Sequence, residues 1–445
     1  MAAPSRTRRD AAPQTPLPKK LTQAALLKWA VPPPAPAGAL PLNLYVAPPN
    51  DVSPSDAALS GAAPNMFGAI AAKLAAAKTQ LDAIPAADFN PLMRSLDLYA
   101  GLRRTLRNDF GVAVATNATL KLHELLTQLR LVTPGATVRG FCNAELPGAF
   151  IMAAERFVTA GGGRFDWLAS SFAPKPGDSA LGDAYGLYAA HRDRWLMGPR
   201  PNGMPPGAPP VSGDLTDARV VAALAQAVHA RFAARGGGRP EPSGASLYTS
   251  DAGTGVSADY NNQEELTALL NFGQVVCGLL ALAPGGALVT KQYTFFTPFS
   301  RSLIALVAAL FEETLVVKPL TSRPVNSEVY LVGRGFRGLP PGLGDALLAR
   351  LALLAASDTK AGRWPALLDP ASTAAADAAL LSAAEQLFGR QQVAFLDETA
   401  RLYAGKTAGG FSIEASLRPL ARRVQAAWLE ANPFEPILVP ELGRF

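Results

Sequence analysis

Cysteine and histidine are scarce in this chain: Cys142 and Cys277 are its two cysteines, His123, His191 and His229 its three histidines. No CxxC, HExxH or clustered ligand spacing joins them, so neither a disulfide framework nor a structural zinc site organises the fold. Their usage fits a reducing compartment, and the histidines read most simply as helix or loop surface residues. Unbroken apolar runs of about 18 residues are also missing, which argues for a soluble chain without a membrane span. The first 20 residues are basic but lack the compact apolar block of a secretory signal. Charge is thin at 17%, whereas apolar residues make up 49% of the 445 positions. That supports a sizeable core, in one large domain with additions or in two domains. A net charge of +6 permits a polyanionic partner without requiring one.

Residues 1–65 are rich in Pro and Ala, stiffest at Val31-Pro-Pro-Pro-Ala-Pro-Ala-Gly-Ala, and are expected to form a flexible arm. A helical lead-in follows over 66–135, with helices at 66–83, 91–110 and 120–131. Leu92, Leu96, Tyr99 and Leu106 recur at helical spacing, and the last helix carries Lys121 and Glu124. From 136 to 338 strands and helices alternate. Strands are expected at 137–142, 164–170, 245–251, 287–295, 314–319 and 327–333. Helices are expected up to 160 and at 218–234, 264–283 and 299–311. Turns fall at Pro147-Gly148, Arg235-Gly-Gly-Gly-Arg and Pro284-Gly-Gly. A Pro/Gly-rich insertion at 171–212 holds Tyr185, Tyr188 and Trp195, which suggest partial order. The alternation predicts an α/β fold with a doubly wound, Rossmann-like, mostly parallel sheet. The last two strands are too close for a helical crossover, so they should pair antiparallel. Residues 339–445 read as a helical extension (343–356, 374–388, 393–403) closed by a polar, Pro-punctuated tail.

Ligands of doubly wound folds collect at the carboxyl ends of the strands. Lys121, Asp251, Lys291 and Glu328 are placed to meet there. An alcohol is a poor nucleophile at neutral pH and an ammonium a poor base. Crowding one lysine against another lowers its pKa, and flanking carboxylates orient it. The alternative is two unrelated salt bridges at strand ends. After the first strand, Asn143-Ala-Glu-Leu-Pro-Gly-Ala-Phe150 makes a cradle at a helix N-terminus, with Glu145 available for a cationic amino group, or else an ordinary turn. Asp214 or Asp217 could accept from an adenine amino group or simply cap a helix. Asp166 could take ribose hydroxyls or be a strand-edge acid.

The run from Phe296-Thr-Pro-Phe-Ser300 to Lys318-Pro-Leu-Thr-Ser-Arg-Pro-Val-Asn-Ser-Glu328 carries a family likeness. Over about 115–337 the chain resembles the FtsJ-like, S-adenosylmethionine-dependent ribose 2′-O-methyltransferases, nearest to the mRNA cap-1-type enzymes of eukaryotes and large DNA viruses. Lys121, Asp251, Lys291 and Glu328 match that family's Lys-Asp-Lys-Glu tetrad in order and context. Gly213-Asp-Leu-Thr corresponds to a loop that holds the cofactor adenosine, and Asn261 and Gln263-Glu264 to the entry of the helix after the catalytic aspartate. One departure concerns the cofactor loop, usually a Pro-Gly-Gly turn: here Ala149 replaces a glycine and Glu145 adds charge.

The resemblance implies methyl transfer from S-adenosylmethionine to a ribose 2′-oxygen of capped RNA, without a metal. Lys291 would be the base or steering group, set by Asp251 and Lys121, with Glu328 completing the network. Asn143, Glu145, Pro147, Gly148, Ala149, Phe150, Asp166, Asp214 and Asp251 would hold the cofactor. Arg301, Lys318, Arg323 and Arg334 are candidates for phosphate contacts, or else solvated surface charges. Partners in capping or transcription could dock on the terminal extensions. A viral-type enzyme would be cytoplasmic and a cellular one nuclear. Two other functions stand beside this one: the same reaction on other RNA, and a non-catalytic RNA-binding protein on the same scaffold.

Overall fold

The computed structural model describes residues 27–32, 65–172, 182–197, 212–233, 243–253, 261–357, 364–409 and 412–434. Its centre is a seven-stranded sheet. The strands are β1 (Leu27–Ala30), β2 (Thr137–Asn143), β3 (Arg164–Ala169), β4 (Ala245–Ser250), β5 (Leu282–Gln292), β6 (Phe311–Lys318) and β7 (Val329–Phe336), in the order β1-β6-β7-β5-β4-β2-β3. β2 runs parallel to both β3 and β4, and β4 parallel to β5. β7 slots antiparallel between β5 and β6. The chain leaves β2 toward β3 and then crosses back to β4 on the other side, so the topological switch lies between β2 and β4.

Alternation along each strand divides the core into two layers. Phe141, Tyr248, Leu288, Val316 and Leu331 face one side. There they meet α7 (Ala218–Ala233), α8 (Gln263–Ala281) and α9 (Pro298–Leu310). Val138, Trp167, Leu247, Val289, Tyr330 and Val332 face the other. They meet α4 (Asn117–Leu129) and α5 (Ala149–Ala160). Each fully buried Leu, Val or Phe contributes roughly 1.5–3 kcal/mol, so shifting a strand by one residue would exchange the two faces at large cost.

Several elements differ from the expectations. Within the supposed arm, 27–30 forms β1, antiparallel to β6; its ladder bonds outweigh the Pro-rich context, while 1–26 and 33–64 lie outside the described residues. The helix expected at 91–110 is two, α2 (Ala86–Ser95) and α3 (Leu102–Phe110), while α1 (Met66–Thr79) tightens into a 3-10 turn, Gln80–Ala83. β5 starts at Leu282, so Pro284-Gly-Gly lies inside the strand as an irregularity rather than before it. Of the 171–212 insertion, 182–197 holds the short α6 (Leu187–Ala190) and bridges Trp195 to Ala169. The Arg235-Gly-Gly-Gly-Arg loop lies outside the described residues. The C-terminal part comprises α10 (Leu343–Ala356), α11 (Pro370–Ala384), a π-helical turn (Glu385–Gln392), α12 (Val393–Gly409) and α13 (Ile413–Ala431). α13 stands where a polar tail was expected. Its stripe of Ile413, Leu417, Leu420 and Trp428 buries at helical spacing despite Pro419 inside the helix.

The two extensions are not separate appendages. α1 packs on the π-helical turn and on α12. Tyr403 Oη donates to Asp88 Oδ2 at 2.7 Å, joining α12 to α2. α11 covers α9 and reaches β1.

Candidate active site

Four segments deliver the tetrad to one sheet edge. α4 starts at a Thr116 side-chain cap, where Oγ1 accepts from the Thr119 amide at 3.2 Å, and it presents Lys121 one turn later. Asp251 follows β4, Lys291 is the penultimate residue of β5, and Glu328 immediately precedes β7 instead of beginning it. Lys121 Nζ donates to Glu328 Oε1 at 2.8 Å. Lys291 Nζ donates to the Asp251 carbonyl at 2.7 Å and lies 3.3 Å from its Oδ1.

The two pairs are joined. Tyr330, opposite Lys291 in the β5–β7 ladder, donates from its hydroxyl to Asp251 Oδ1 at 2.8 Å. The Lys121 ammonium sits 5.7 Å from the centre of the same ring. Sequence spacing left two unrelated salt bridges open; the fold makes one network of them. Burial alone would push the Glu328 carboxyl up. Lys121, Lys291 and Lys318 together outweigh that and hold it at about 2.

The lysine chemistry departs from expectation. Burial would lower the Lys291 ammonium, yet Asp251, Tyr293 and Glu328 outweigh it and the net direction is upward. Lys291 therefore rests as an ammonium. Beside the tetrad, burial does depress Lys318, to about 7. Lys318 is no phosphate contact. Its buried Nζ donates to the Asn326 and Glu328 carbonyls, each at 2.7 Å, and to Ser322 Oγ at 3.2 Å. It ties together the loop of residues 319–328. Ser322 Oγ in turn donates to Glu328 Oε1 at 2.8 Å.

The supposed cofactor residues divide. Gly148 (φ 112°) turns the chain into α5 after a cis Leu146–Pro147 bond, and Ala149 and Phe150 open the helix, both buried. Glu145 is not free for a partner on both oxygens. Its Oε1 accepts from the Phe150 and Ile151 amides at 2.7 and 3.1 Å, filling the α5 N-terminus itself. Burial raises its carboxyl to about 8, the two amide bonds opposing that shift. Asn143 turns inward, its amide nitrogen 3.4 Å from both Tyr248 Oη and Cys277 Sγ, and away from the strand ends. Asp166 is third of the six residues of β3, buried, with Arg231 at 3.9 Å and Arg194 at 4.0 Å. A mid-strand acid neutralised by two guanidiniums cannot reach the strand end, where Ala169 and Ser170 stand instead. Asp214 closes a local turn by accepting from the Thr216 amide and hydroxyl at 2.9 and 2.7 Å. Asp217 pairs with Arg219 at 2.8 Å. Their loop does sit at the end of β3. A Cβ on Gly213 (φ 73°) would fall 1.9 Å from the Ser171 carbonyl.

Of the other cationic candidates, Arg301 is engaged with Asp377 at 3.0 Å and lies over the Phe67 ring, and Arg334 pairs with Glu313 at 2.6 Å. Arg323 is exposed. His123, expected on the surface, is buried, stacked 3.6 Å from the Phe434 ring and pushed by burial to about 4.

Sequence reasoning placed Glu124 and Glu264 on their helices without giving them a role; both hold the site from behind. Glu124, buried on α4, accepts from the Leu320 and Thr321 amides at 2.7 and 3.3 Å, from Thr321 Oγ1 at 3.1 Å and from Trp428 Nε1 at 3.1 Å. Glu264, buried at the start of α8, accepts from the Phe296 and Thr297 amides at 2.9 and 2.8 Å. Tyr330, missed by sequence reasoning, carries the link between the pairs. A tyrosine two residues after Glu328, on the opposite side of the register from Lys291, was the available signal.

Residues 114–336 match the FtsJ-like methyltransferase family, half of the chain. The chain belongs to that family. A probable methyltransferase of African swine fever virus (isolate Warthog/Namibia/Wart80/1980) is 38% identical over 263 residues, 58% of either chain. A cap-specific mRNA (nucleoside-2′-O-)-methyltransferase 1 of Xenopus laevis is 42% identical over 94 residues, 21% of this chain and 11% of that one. The enzyme of the same name from Trypanosoma cruzi is 43% identical over 95 residues, 21% of this chain and 26% of that one. The chain thus matches less than two thirds of the length of each of these relatives. Among the described residues no helix is long and apolar enough to cross a membrane, and no group of His, Cys, Asp or Glu could hold a metal.

Proposed function

We propose that this chain transfers a methyl group from S-adenosylmethionine to a ribose 2′-hydroxyl near the 5′ end of capped mRNA. The observation that carries the proposal is the single network of Lys121, Glu328, Lys291 and Asp251 closed through Tyr330 at the sheet's switch-point edge. The partial likeness to enzymes named as cap-specific supports the capped substrate.

The residues fit the cofactor. A Cβ at Gly253, just past Asp251, would lie 3.0 Å from Lys291 Nζ and 3.2 Å from Tyr293 Oη, so the glycine keeps open the space above the ammonium. The turn at 147–150, the Asp214 loop and Asp251 would hold the cofactor, with Glu145 facing its amino group. When bound, S-adenosylmethionine supplies an electrophilic methyl on a positively charged sulfur. The 2′-oxygen would take that methyl as the carbon–sulfur bond breaks, its hydroxyl proton passing to solvent water. Lys291, held as an ammonium, steers the 2′-oxygen in line and donates a hydrogen bond to it rather than removing its proton at rest. Asp251 and Tyr330 fix where Nζ points, and Lys121 with Glu328 balances the charge behind it. Arg323, exposed on the loop before Glu328, would be available to a phosphate. A cytoplasmic place of action belongs to the viral likeness, and a nuclear one to the cellular.

Methyl transfer from labelled cofactor to short RNAs with and without a cap tests the proposal. Label on the ribose of capped RNA, lost in Lys291→Ala, is expected. Equal labelling of uncapped RNA would move the substrate class. RNA binding with no transfer would leave only a scaffold, a reading that the filled α5 N-terminus favours.

A further inference from the structure

The loop of residues 319–328 delivers Glu328 to the tetrad, and side chains far away in sequence hold both of its ends. At the far end Gln392 Nε2 donates to the Val325 carbonyl at 2.7 Å, and its amide lies 3.2 Å from Ser327 Oγ, one residue before Glu328. Gln392 and Ser327 are each 4% exposed, so no water replaces these bonds. At the near end Glu124 gathers the Leu320 and Thr321 amides together with the Trp428 indole of α13.

Gln392 is the last residue of the π-helical turn Glu385–Gln392 between α11 and α12. A π turn is rare and is found frequently at functional sites. The same turn also reaches the other half of the site. Phe388 packs edge-on against Phe295 and Phe296, with centroids 5.3 and 5.4 Å away, on the segment that follows Lys291. One helical turn thus touches the chain after Lys291 and the chain before Glu328. Gln392 and Trp428 lie beyond residues 114–336, so the part shared across the family does not supply them.

We propose that the C-terminal helices are part of the catalytic unit, and that Gln392 on the π turn is a positioning residue for Glu328. The inference rests on the methyl-transfer reading above. Gln392 touches no reacting atom; it sets where the Glu328 carboxylate meets Lys121.

The test uses the full chain with Gln392→Met, which keeps volume and removes both hydrogen bonds. At least a tenfold lower kcat is expected, with KM for RNA and Kd for S-adenosylmethionine within twofold. In a double-mutant cycle, Gln392→Met should add nothing to the loss already caused by Glu328→Gln, because it acts through that residue. Amide exchange should quicken in 319–328 and stay unchanged in the β4 and β5 amides. Unchanged kcat, or a loss that multiplies with that of Glu328→Gln, overturns the proposal. If Gln392→Met does not fold, Ser327→Ala removes the loop's side of the bond and is judged by the same criteria. If the wild type transfers no methyl, the proposed activity fails, and unchanged exchange in 319–328 still refutes the positioning role independently.

Discussion

Replacing Glu328 with Gln removes one negative charge from a buried site in which Lys121, Lys291 and Lys318 all act on it. The shape is kept: the amide can still accept from Ser322 Oγ, which lies 2.8 Å from Oε1 in the parent. The charge effect can therefore be isolated. The carboxyl sits at about 2 against an ordinary 4.5, and a shift of that size corresponds to about 3 kcal/mol. Loss of one partner of a buried pair costs about 3–5 kcal/mol, in the same range. Lys318 cushions the change. Glu328 is one of the charges that raises it, so without that carboxylate it sheds its proton more readily. About 3 kcal/mol of destabilisation at pH 7 is the expected result. For a depressed carboxyl the stabilisation is complete above pH 4.5 and disappears as pH falls through about 2. The gap between parent and variant should therefore shrink by roughly half or more at pH 3. Urea unfolding at pH 7 and pH 3 measures both gaps, and labelled methyl transfer at pH 7 should fall by at least about a hundredfold. A pH-independent gap, or a variant as stable as the parent at pH 7, would refute the assignment of Glu328 as the site's buried counter-charge.

Four other outcomes follow from the same geometry. Glu145 is raised to about 8, so an arriving ammonium should ionise it: cofactor binding near pH 7 should release a proton, seen by calorimetry in buffers of different ionisation enthalpy and absent in Glu145→Gln. Because that carboxyl is raised, its burial costs stability as pH climbs from 4.5 past 8, and Glu145→Gln should gain on the parent over that window in thermal melts. Gly253→Ala should lower methyl transfer at least about tenfold with a melting temperature within about 2 °C, since the new methyl meets Lys291 Nζ rather than the core. Arg323→Ala should weaken RNA binding and reduce its salt slope by about one, whereas Arg334→Ala, already paired with Glu313, should change neither.

The sheet was legible because each strand alternates: Phe141 beside Cys142, Leu247 beside Tyr248 and Leu288 beside Val289 sort into different layers at period 2. The tetrad was legible through its resemblance, since four charges spread from 121 to 328 have no local pattern to announce them. What stayed hidden is long-range. β1 is four residues inside a Pro/Ala-rich stretch, and only the edge of β6 makes them a strand. α13 carries an apolar stripe that Pro419 and three arginines obscure. Lys318 looked like a phosphate ligand because its depth is set by β6 and β7 folding over it, and no motif encodes depth.

The same physics explains why the site needs the chain around it. Burying Lys121, Lys291 and Lys318 against Asp251 and Glu328 is tolerable only if each loop carrying them is fixed, because a small slip leaves an unpaired charge in a dry place. Three further glutamates do that fixing by accepting backbone amides: Glu145 at α5, Glu264 at the segment after Lys291, and Glu124 at the loop before Glu328. Each trades a desolvation cost for two or more amide bonds that water would otherwise satisfy. Glu124 shares its carboxylate with Trp428 of α13, so the charge balance of the tetrad continues, through one hydrogen bond of 3.1 Å, into the C-terminal helices. A catalytic domain cut at the end of the family match would expose that carboxylate on one side and Val325 and Ser327 on the other, and would leave the loop before Glu328 held by Glu124, Lys318 and Lys121 without its C-terminal supports.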